Sequence, residues 1–221
     1  ADIENAVSEI VRGSMAHSGQ MCTAIGRVIV HSSSYNQVRD TLAKRLKVLT
    51  VGHALDESAN LGPLINEAAA DRYISYVDAA GRDGSVLVGG KKLSGGNYGT
   101  GCYVSPTLAE LGDLNHPLIQ NELFSPFIVL ERFDDPEEAI SRANATRYGL
   151  SASVYTDTHR IAQLAARKIK AGTIWINCHN RLMVEAETGG YRDSGMGRLH
   201  GVEGLSPFLE TKHIYSEYKQ W

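Results

Sequence analysis

The sequence predicts an α/β fold, three layers with a largely parallel sheet held between helices, and three observations carry that expectation. The apolar spacing switches repeatedly between a helical period of about 3.6 and short runs of strand length. Helical segments separate successive strands, which is what crossover connections between parallel strands require. The chain has 221 residues, 43% of them hydrophobic and 21% charged. A chain of that size hides roughly 70% of its unfolded surface on folding, so its core needs neither metal nor disulfide staples.

Taken in order, Ile3, Val7, Ile10 and Val11 share one helical face, with Gly19 as the stop. Arg27 to His31 reads as a strand. Tyr35 to Leu49 is a second helix, carrying Val38, Leu42, Leu46 and Leu49 on one face and basic residues opposite. Asn66 to Ala80 is a third helix, followed by a strand from Ser85 to Val88 and a glycine-rich stretch, Gly89 to Gly101, expected as a surface hairpin. Ser125 to Phe133 is a buried strand. Asp135 then suits an N-cap and Pro136 the first helical position of a helix running to Thr146. Leu150 to Tyr155, His159 to Ile169 and Thr173 to Asn177 give strand, helix and strand. A short helix from Val202 to Leu209 and a strand from Lys212 to Tyr218 close the chain. No repeat or Pro-rich linker divides it, so residues 1–210 read as one unit and 211–221 as a terminal strand whose unpaired edge seeks a partner.

Several functional classes are excluded. Lys and Arg total 22 against 25 Asp and Glu, a formal charge of −3, so no global field draws the chain to nucleic acid or an anionic membrane. The longest apolar runs, such as Phe127 to Leu130 and Thr173 to Ile176, are far short of the roughly 20 residues a membrane helix needs. Cys22, Cys102 and Cys178 form no C-x-x-C pair, and no histidine stands at zinc-ligand spacing. A reducing, cytoplasmic setting and no metal are expected. A start on Ala1, without Met, leads to the expectation of a fragment or processed chain.

No glycine cluster follows a strand and opens a helix at G-x-G-x-x-G spacing, so a dinucleotide cradle is not expected within these residues. The sharper signal is Ser18-Gly19-Gln20-Met21-Cys22, where a helix ends on glycine and a thiol follows before the next strand. A nucleophilic thiolate belongs at such an element end, near backbone N–H groups. Cys102 and Cys178 read as small buried hydrophobes.

Gly19-Gln20-Met21-Cys22-Thr23, Glu122-Leu123-Phe124-Ser125-Pro126, Trp175-Ile176-Asn177 and the run Gly189 to Arg198 occur in this order. In order and spacing they resemble the catalytic half of the aldehyde dehydrogenase superfamily, over essentially the whole chain. The resemblance implies that family's catalytic-domain fold and NAD- or NADP-dependent oxidation of an aldehyde to an acid. Cys22 would attack the carbonyl, and a cysteine thioester would then be hydrolysed. It implies that Glu122 holds the nicotinamide ribose hydroxyls and that Phe124 packs near the nicotinamide ring. Met21, Thr23, Asn180, Leu182 and Thr188 would line the substrate pocket. At the last two positions aromatic residues often stand in the family. Ser125 replaces the usual glycine, which leaves the conformation of that loop open.

The resemblance also places the family's nucleotide domain, its glutamate base and its oxyanion asparagine upstream of Ala1, so this chain by itself is expected to be inactive. Glu4 and Glu9 are assigned to a solvated helix face, and Arg181, Glu185 and Glu187 to a solvated rim or to a mouth that selects a polar or charged aldehyde. The terminal strand implies a homo-oligomer, dimer or tetramer. Two other readings stand beside this one. The first is an acylating enzyme that passes the acyl group to coenzyme A or phosphate instead of water, and the second is a catalytically silent domain kept for assembly or binding.

Overall fold

In the computed structural model, which describes residues 1–99 and 101–219, the chain folds around strand β4 (Phe127–Phe133). Ile128 and Leu130 point to one face of that strand, Phe127 and Val129 to the other, and all four are buried. A strand buried on both faces reads as a continuous apolar run rather than an alternation. β1 (Arg27–His31) lies parallel to β4 on one edge and β3 (Thr107–Glu110) parallel on the other. β2 (Ser85–Val88) completes the sheet antiparallel to β3, giving the order β1-β4-β3-β2. Two further strands, β5 (Ser151–Val154) and β6 (Thr173–Ile176), pair in parallel as a separate two-stranded sheet. The expected α/β class with mostly parallel pairing is what forms, divided between two sheets.

Helix α1 (Ile3–Met15) begins where the Asp2 side chain accepts from the Asn5 N–H, and it buries Val7 and Ile10. α2 (Ser32–Lys47) lays Val38, Leu42 and Leu46 against Val28, Val30, Ile128 and Leu130 in the same cluster. α3 (Glu67–Asp83) covers the opposite face with Ala70, Tyr73 and Ala80 packed against Ala109, Phe127 and Val129. α4 (Pro117–Gln120) is a single turn. α5 (Pro136–Ala143) starts at Asp135, which accepts from the Glu137 and Glu138 N–H groups, with Pro136 next to it as expected. α6 (His159–Lys168) is the crossover between β5 and β6.

Several boundaries differ from the periodicity. α2 starts three residues early because the His31 ring caps it, accepting from the Ser33 N–H. β3 and α4 carried no sequence signal, being four residues each. The Gly89–Gly101 stretch does form a hairpin, with Lys92 bridging Val104 antiparallel, and Thr100 within it lies outside the described residues. The expected final helix is a 3-10 turn, Glu203–Phe208. Lys212 to Tyr218 forms no strand in the single chain. Residues 205–219 are exposed throughout, and 220–221 of the expected terminal strand lie outside the described residues.

One buried charge sits inside this apolar frame. Glu131 is fully buried on β4, and Arg27 on β1 grips it with two bonds, Nε to Oε1 at 2.6 Å and Nη2 to Oε2 at 2.9 Å. Arg142 on α5 brings a second guanidinium to 3.7 Å. Removing one partner of a buried pair leaves the other charge without compensation, at about 3–5 kcal/mol, whereas replacing both with apolar groups costs far less. Arg27→Met is therefore expected to lower urea stability by roughly 3 kcal/mol, and the double variant Arg27→Met/Glu131→Leu to recover most of it. Additive losses in the double variant would show that the pair is not the coupled unit described.

Candidate active site

α1 does not run directly into Cys22. After Met15 the backbone turns through three left-handed residues, His17 (φ 50°), Ser18 (φ 56°) and Gly19 (φ 71°). Left-handed backbone costs an L-residue roughly 1–2 kcal/mol, so the turn persists only where neighbours hold it. They do so here. Ser18 Oγ donates to the Gly62 carbonyl at 2.9 Å, Gln20 Nε2 to the His17 carbonyl at 3.2 Å, and the Ile65 N–H to Gln20 Oε1 at 2.8 Å. Cys22 then sits exposed in a tight turn closed by the Ala24 N–H on the Met21 carbonyl. Among the described residues the Cys22 N–H donates to no backbone carbonyl, which leaves it available to an oxyanion.

Parallel pairing of β1 with β4 puts the two loops that enter these strands at one edge of the sheet. Gly19 makes the contact. A Cβ there would lie 2.2 Å from the Ser125 carbonyl oxygen, so only glycine allows the Cys22 loop and the Glu122–Pro126 loop to touch. Ser125 itself is not left-handed, so serine is tolerated where the family usually has glycine. Glu122 is exposed on this loop and makes no ion pair among the described residues. Its oxygens are therefore open as acceptors. Phe124 (φ 50°) is 45% exposed and joins His17, Ser18, Gln20 and Pro63 around an open cleft of about 630 Å³.

The loop after β6 reaches Thr23, the neighbour of Cys22, from the other sheet. Thr23 Oγ1, next to Cys22, donates to Asn180 Oδ1 at 3.3 Å. Leu182 is half-exposed beyond it, and Met21 is half-buried beside Cys22. Thr188 is tied to β6, its hydroxyl 2.9 Å from Thr173 Oγ1 at the start of that strand, and Asn180 follows the strand's end. Glu187 accepts from the Val202 N–H at 3.1 Å, and backbone N–H groups hold its carboxyl below the usual range. Asn177 closes the β5–β6 pair, exchanging two 2.8 Å bonds with the Thr156 backbone.

Three residues with a part in this geometry carried no functional sequence signal. Glu9, expected on a solvated face, has a side chain only 15% exposed and is paired with Arg12 at 2.8 Å. It turns inward because it accepts from the His179 N–H at 3.1 Å, while Arg12 Nη2 donates to the His179 carbonyl at 2.9 Å. The Arg12 hydrogen bond holds the Glu9 carboxyl below its ordinary value. His179 is buried, with Nδ1 2.8 Å from Ser153 Oγ, and burial holds the imidazole below its ordinary value. The Glu9–Arg12 spacing of three could have suggested an ion pair, but its tertiary partner could not be read from the helix. Cys102 and Cys178 are half-buried rather than fully buried. Cys102 Sγ bonds Glu67 at 3.3 Å, and desolvation followed by that carboxylate pushes its thiol up.

The aldehyde dehydrogenase family model matches residues 1–214, and the chain belongs to that family. It is 34% identical over 220 residues to a betaine aldehyde dehydrogenase of Brucella anthropi, covering 98% of this chain and 45% of that protein. It is 35% identical to aldehyde dehydrogenase 1 of Tanacetum cinerariifolium, over 97% of this chain and 42% of the other. Among solved structures, betaine aldehyde dehydrogenase of Staphylococcus aureus in complex with NAD+ superposes with a TM-score of 0.93 at 35% identity, over 97% of this chain and 43% of that one. An aldehyde dehydrogenase of Bacillus cereus gives a TM-score of 0.90 at 34% identity, over 95% of this chain and 42% of that one. The chain thus spans under half the length of these relatives.

Two outcomes follow from this geometry. Gly19→Ala places a methyl against the Ser125 carbonyl in left-handed backbone, so a loss of more than about 2 kcal/mol of stability is expected in denaturant titration. A neutral effect would mean the two loops do not touch. Iodoacetamide with peptide mapping at neutral pH should label Cys22 ahead of Cys102. Cys22 is exposed, while the raised Cys102 thiol yields thiolate only at more alkaline pH. Equal labelling of the two would contradict this.

Proposed function

We propose that this chain supplies the nucleophile-bearing part of an NAD- or NADP-dependent aldehyde dehydrogenase that oxidises an aldehyde to a carboxylic acid. The observation that carries the reading is the contact of Gly19 with Ser125, which brings the loop bearing the exposed Cys22 thiol against the loop bearing the exposed Glu122 carboxylate. Cys22 attacks the aldehyde carbonyl as a thiolate, forming a C–S bond and an oxyanion. The Cys22 N–H, which donates to no backbone carbonyl among the described residues, is the donor we assign to that oxyanion. Thr23 and Asn180 hold one side of the loop through their 3.3 Å bond, while Met21, Leu182 and Thr188 are the further lining the motif assigns.

The residues present fit a nicotinamide nucleotide. A carboxylate free of ion pairs accepts from two ribose hydroxyls, and an exposed aromatic face at Phe124 suits a flat ring beside the cleft. When bound, NAD(P) supplies the acceptor for the hydride that leaves the carbon attached to Cys22. Hydrolysis of the thioester then frees the thiol.

Substrate choice rests on the pocket lining. Betaine aldehyde bears a trimethylammonium group, which aromatic faces recognise through cation–π attraction. Met21, Thr23, Asn180, Leu182 and Thr188 offer none. We read the pocket side formed by this chain as suited to a polar aldehyde without that head group. Assembly as a homo-oligomer through the tail, in the cytoplasm, completes the reading. Its support is the exposed Phe208, Leu209, Ile214, Tyr215 and Tyr218, an apolar surface that a partner's sheet would cover.

In the protein that carries this chain, Cys22→Ala is expected to abolish NAD(P)H formation with a panel of aldehydes. Glu122→Gln keeps the side chain's size but removes the charge. It is expected to slow the hydride step roughly ten- to a hundredfold, about 1.4 to 2.7 kcal/mol of transition-state stabilisation, without altering folding. Full turnover by either variant would overturn the assigned role. Product analysis with and without coenzyme A separates hydrolysis from acyl transfer, the free acid being the expected product.

A further inference from the structure

The Glu9–Arg12 pair is unusual in what it grips. Glu9 Oε2 accepts from the His179 N–H at 3.1 Å, and Arg12 Nη2 donates to the His179 carbonyl at 2.9 Å. The two side chains are themselves joined, Arg12 Nη2 to Glu9 Oε2 at 2.8 Å and Nε to Oε1 at 3.3 Å. One turn of α1 therefore clamps both backbone polar groups of a single residue 167 positions away from Arg12 in sequence.

The clamped residue cannot move on its own. The His179 ring lies so close over Gly13 that a Cβ there would be 2.5 Å from Cδ2. The ring bonds Ser153 at 2.8 Å and meets the Trp175 ring edge-on at 5.1 Å. The next residue, Asn180, accepts from Thr23, the neighbour of Cys22. The Ile25 N–H returns to the Gly13 carbonyl at 3.3 Å. The chain from Arg12 through the left-handed turn to Thr23 is thereby closed into a ring through His179 and Asn180.

We propose that Arg12, acting with Glu9 as a clamp on the His179 peptide, is a positioning residue for Cys22 that fixes the nucleophile's loop through the Thr23–Asn180 bond. The inference rests on Cys22 being the nucleophile. Magnitudes favour geometry over stability as the clamp's role. The Arg12 side chain is 50% exposed and that of Glu9 15%, and a pair screened by solvent on one side stabilises a fold by on the order of 1 kcal/mol. By contrast, a misplacement of about 1 Å at a reacting group costs on the order of a hundredfold in rate. A guanidinium's planar fork reaches the carboxylate and the carbonyl together, whereas a lysine ammonium is a single point.

The test uses the full-length protein that carries this chain, with Arg12→Gln, Arg12→Lys, Glu9→Gln and the double variant Glu9→Gln/Arg12→Gln. Rates are taken with propanal and NAD+ per titrated Cys22 site. Arg12→Gln is expected to lower kcat about tenfold with KM for NAD+ unchanged, and Arg12→Lys to restore only part of the loss. The double variant should be no slower than Arg12→Gln, because the clamp acts as one unit. A merely structural role would reduce the number of titratable sites but not the rate per site. Should Arg12→Gln fail to fold, Thr23→Ala cuts the same link at its other end and is expected to reproduce the fall in kcat. A kcat per site within about twofold of wild type in the folded variants, or effects of Glu9 and Arg12 that multiply, would overturn the proposal. If the wild-type protein does not oxidise aldehydes, it is the functional reading that fails. The clamp is then judged by iodoacetamide alkylation of Cys22, where a change of about threefold or more in Arg12→Gln supports it and an unchanged rate overturns it.

Discussion

Parallel pairing of β1 with β4 is the constraint from which the site follows. Two parallel strands enter the sheet from the same end, so the loops that precede them must lie side by side. One loop holds Cys22 and the other Glu122. Open parallel sheets usually bind ligands beyond the carboxyl ends of their strands. Here Cys22 precedes the amino end of β1, and the carboxyl end of β6 in the second sheet brings Asn180 to its neighbour Thr23. The site lies between two sheets rather than at a crevice within one.

That arrangement demands close approach, and the backbone is shaped for it. The left-handed turn at His17, Ser18 and Gly19 is unfavourable in isolation. It is held by Ser18 on Gly62 and by Gln20 on His17 and Ile65. Strain is thus stored in the segment that precedes Cys22 and is compensated by bonds within the turn and to the 62–65 loop that lines the same cleft. The deeply buried Glu131, matched by Arg27, sits two residues beyond the β4 positions that flank this edge. It ties the same two strands together by charge as well as by hydrogen bonding.

The titratable groups where α1 meets the loop after β6 are held by their neighbours. Glu9 stays ionised beside Arg12, and His179, buried against α1 and β6, stays neutral. A folded-state imidazole held below its unfolded value contributes stability that is complete above the unfolded pKa and is lost as pH falls through the folded one. Acidification below the ordinary value of 6.5 therefore strains the packing of the loop that carries Asn180.

Much of this was legible in the sequence. Local signals name local structure: apolar period, the Asp135–Pro136 helix start, the glycine hairpin, and the thiol after a helix end. Four ordered motifs were enough to indicate the family, because each is a short stretch whose chemistry is written in adjacent residues. What only the tertiary structure decided is everything that depends on a distant partner. β3 became a strand because β4 and β2 offered it both edges, and Thr188 was turned toward Thr173 by the end of β6 it reached. Glu9 left the solvated face its spacing assigned because an N–H 170 residues away was there to bond it. Periodicity records which face of an element is apolar. It does not record which backbone groups another element leaves to be satisfied, and a half-buried carboxylate goes where such a donor is found.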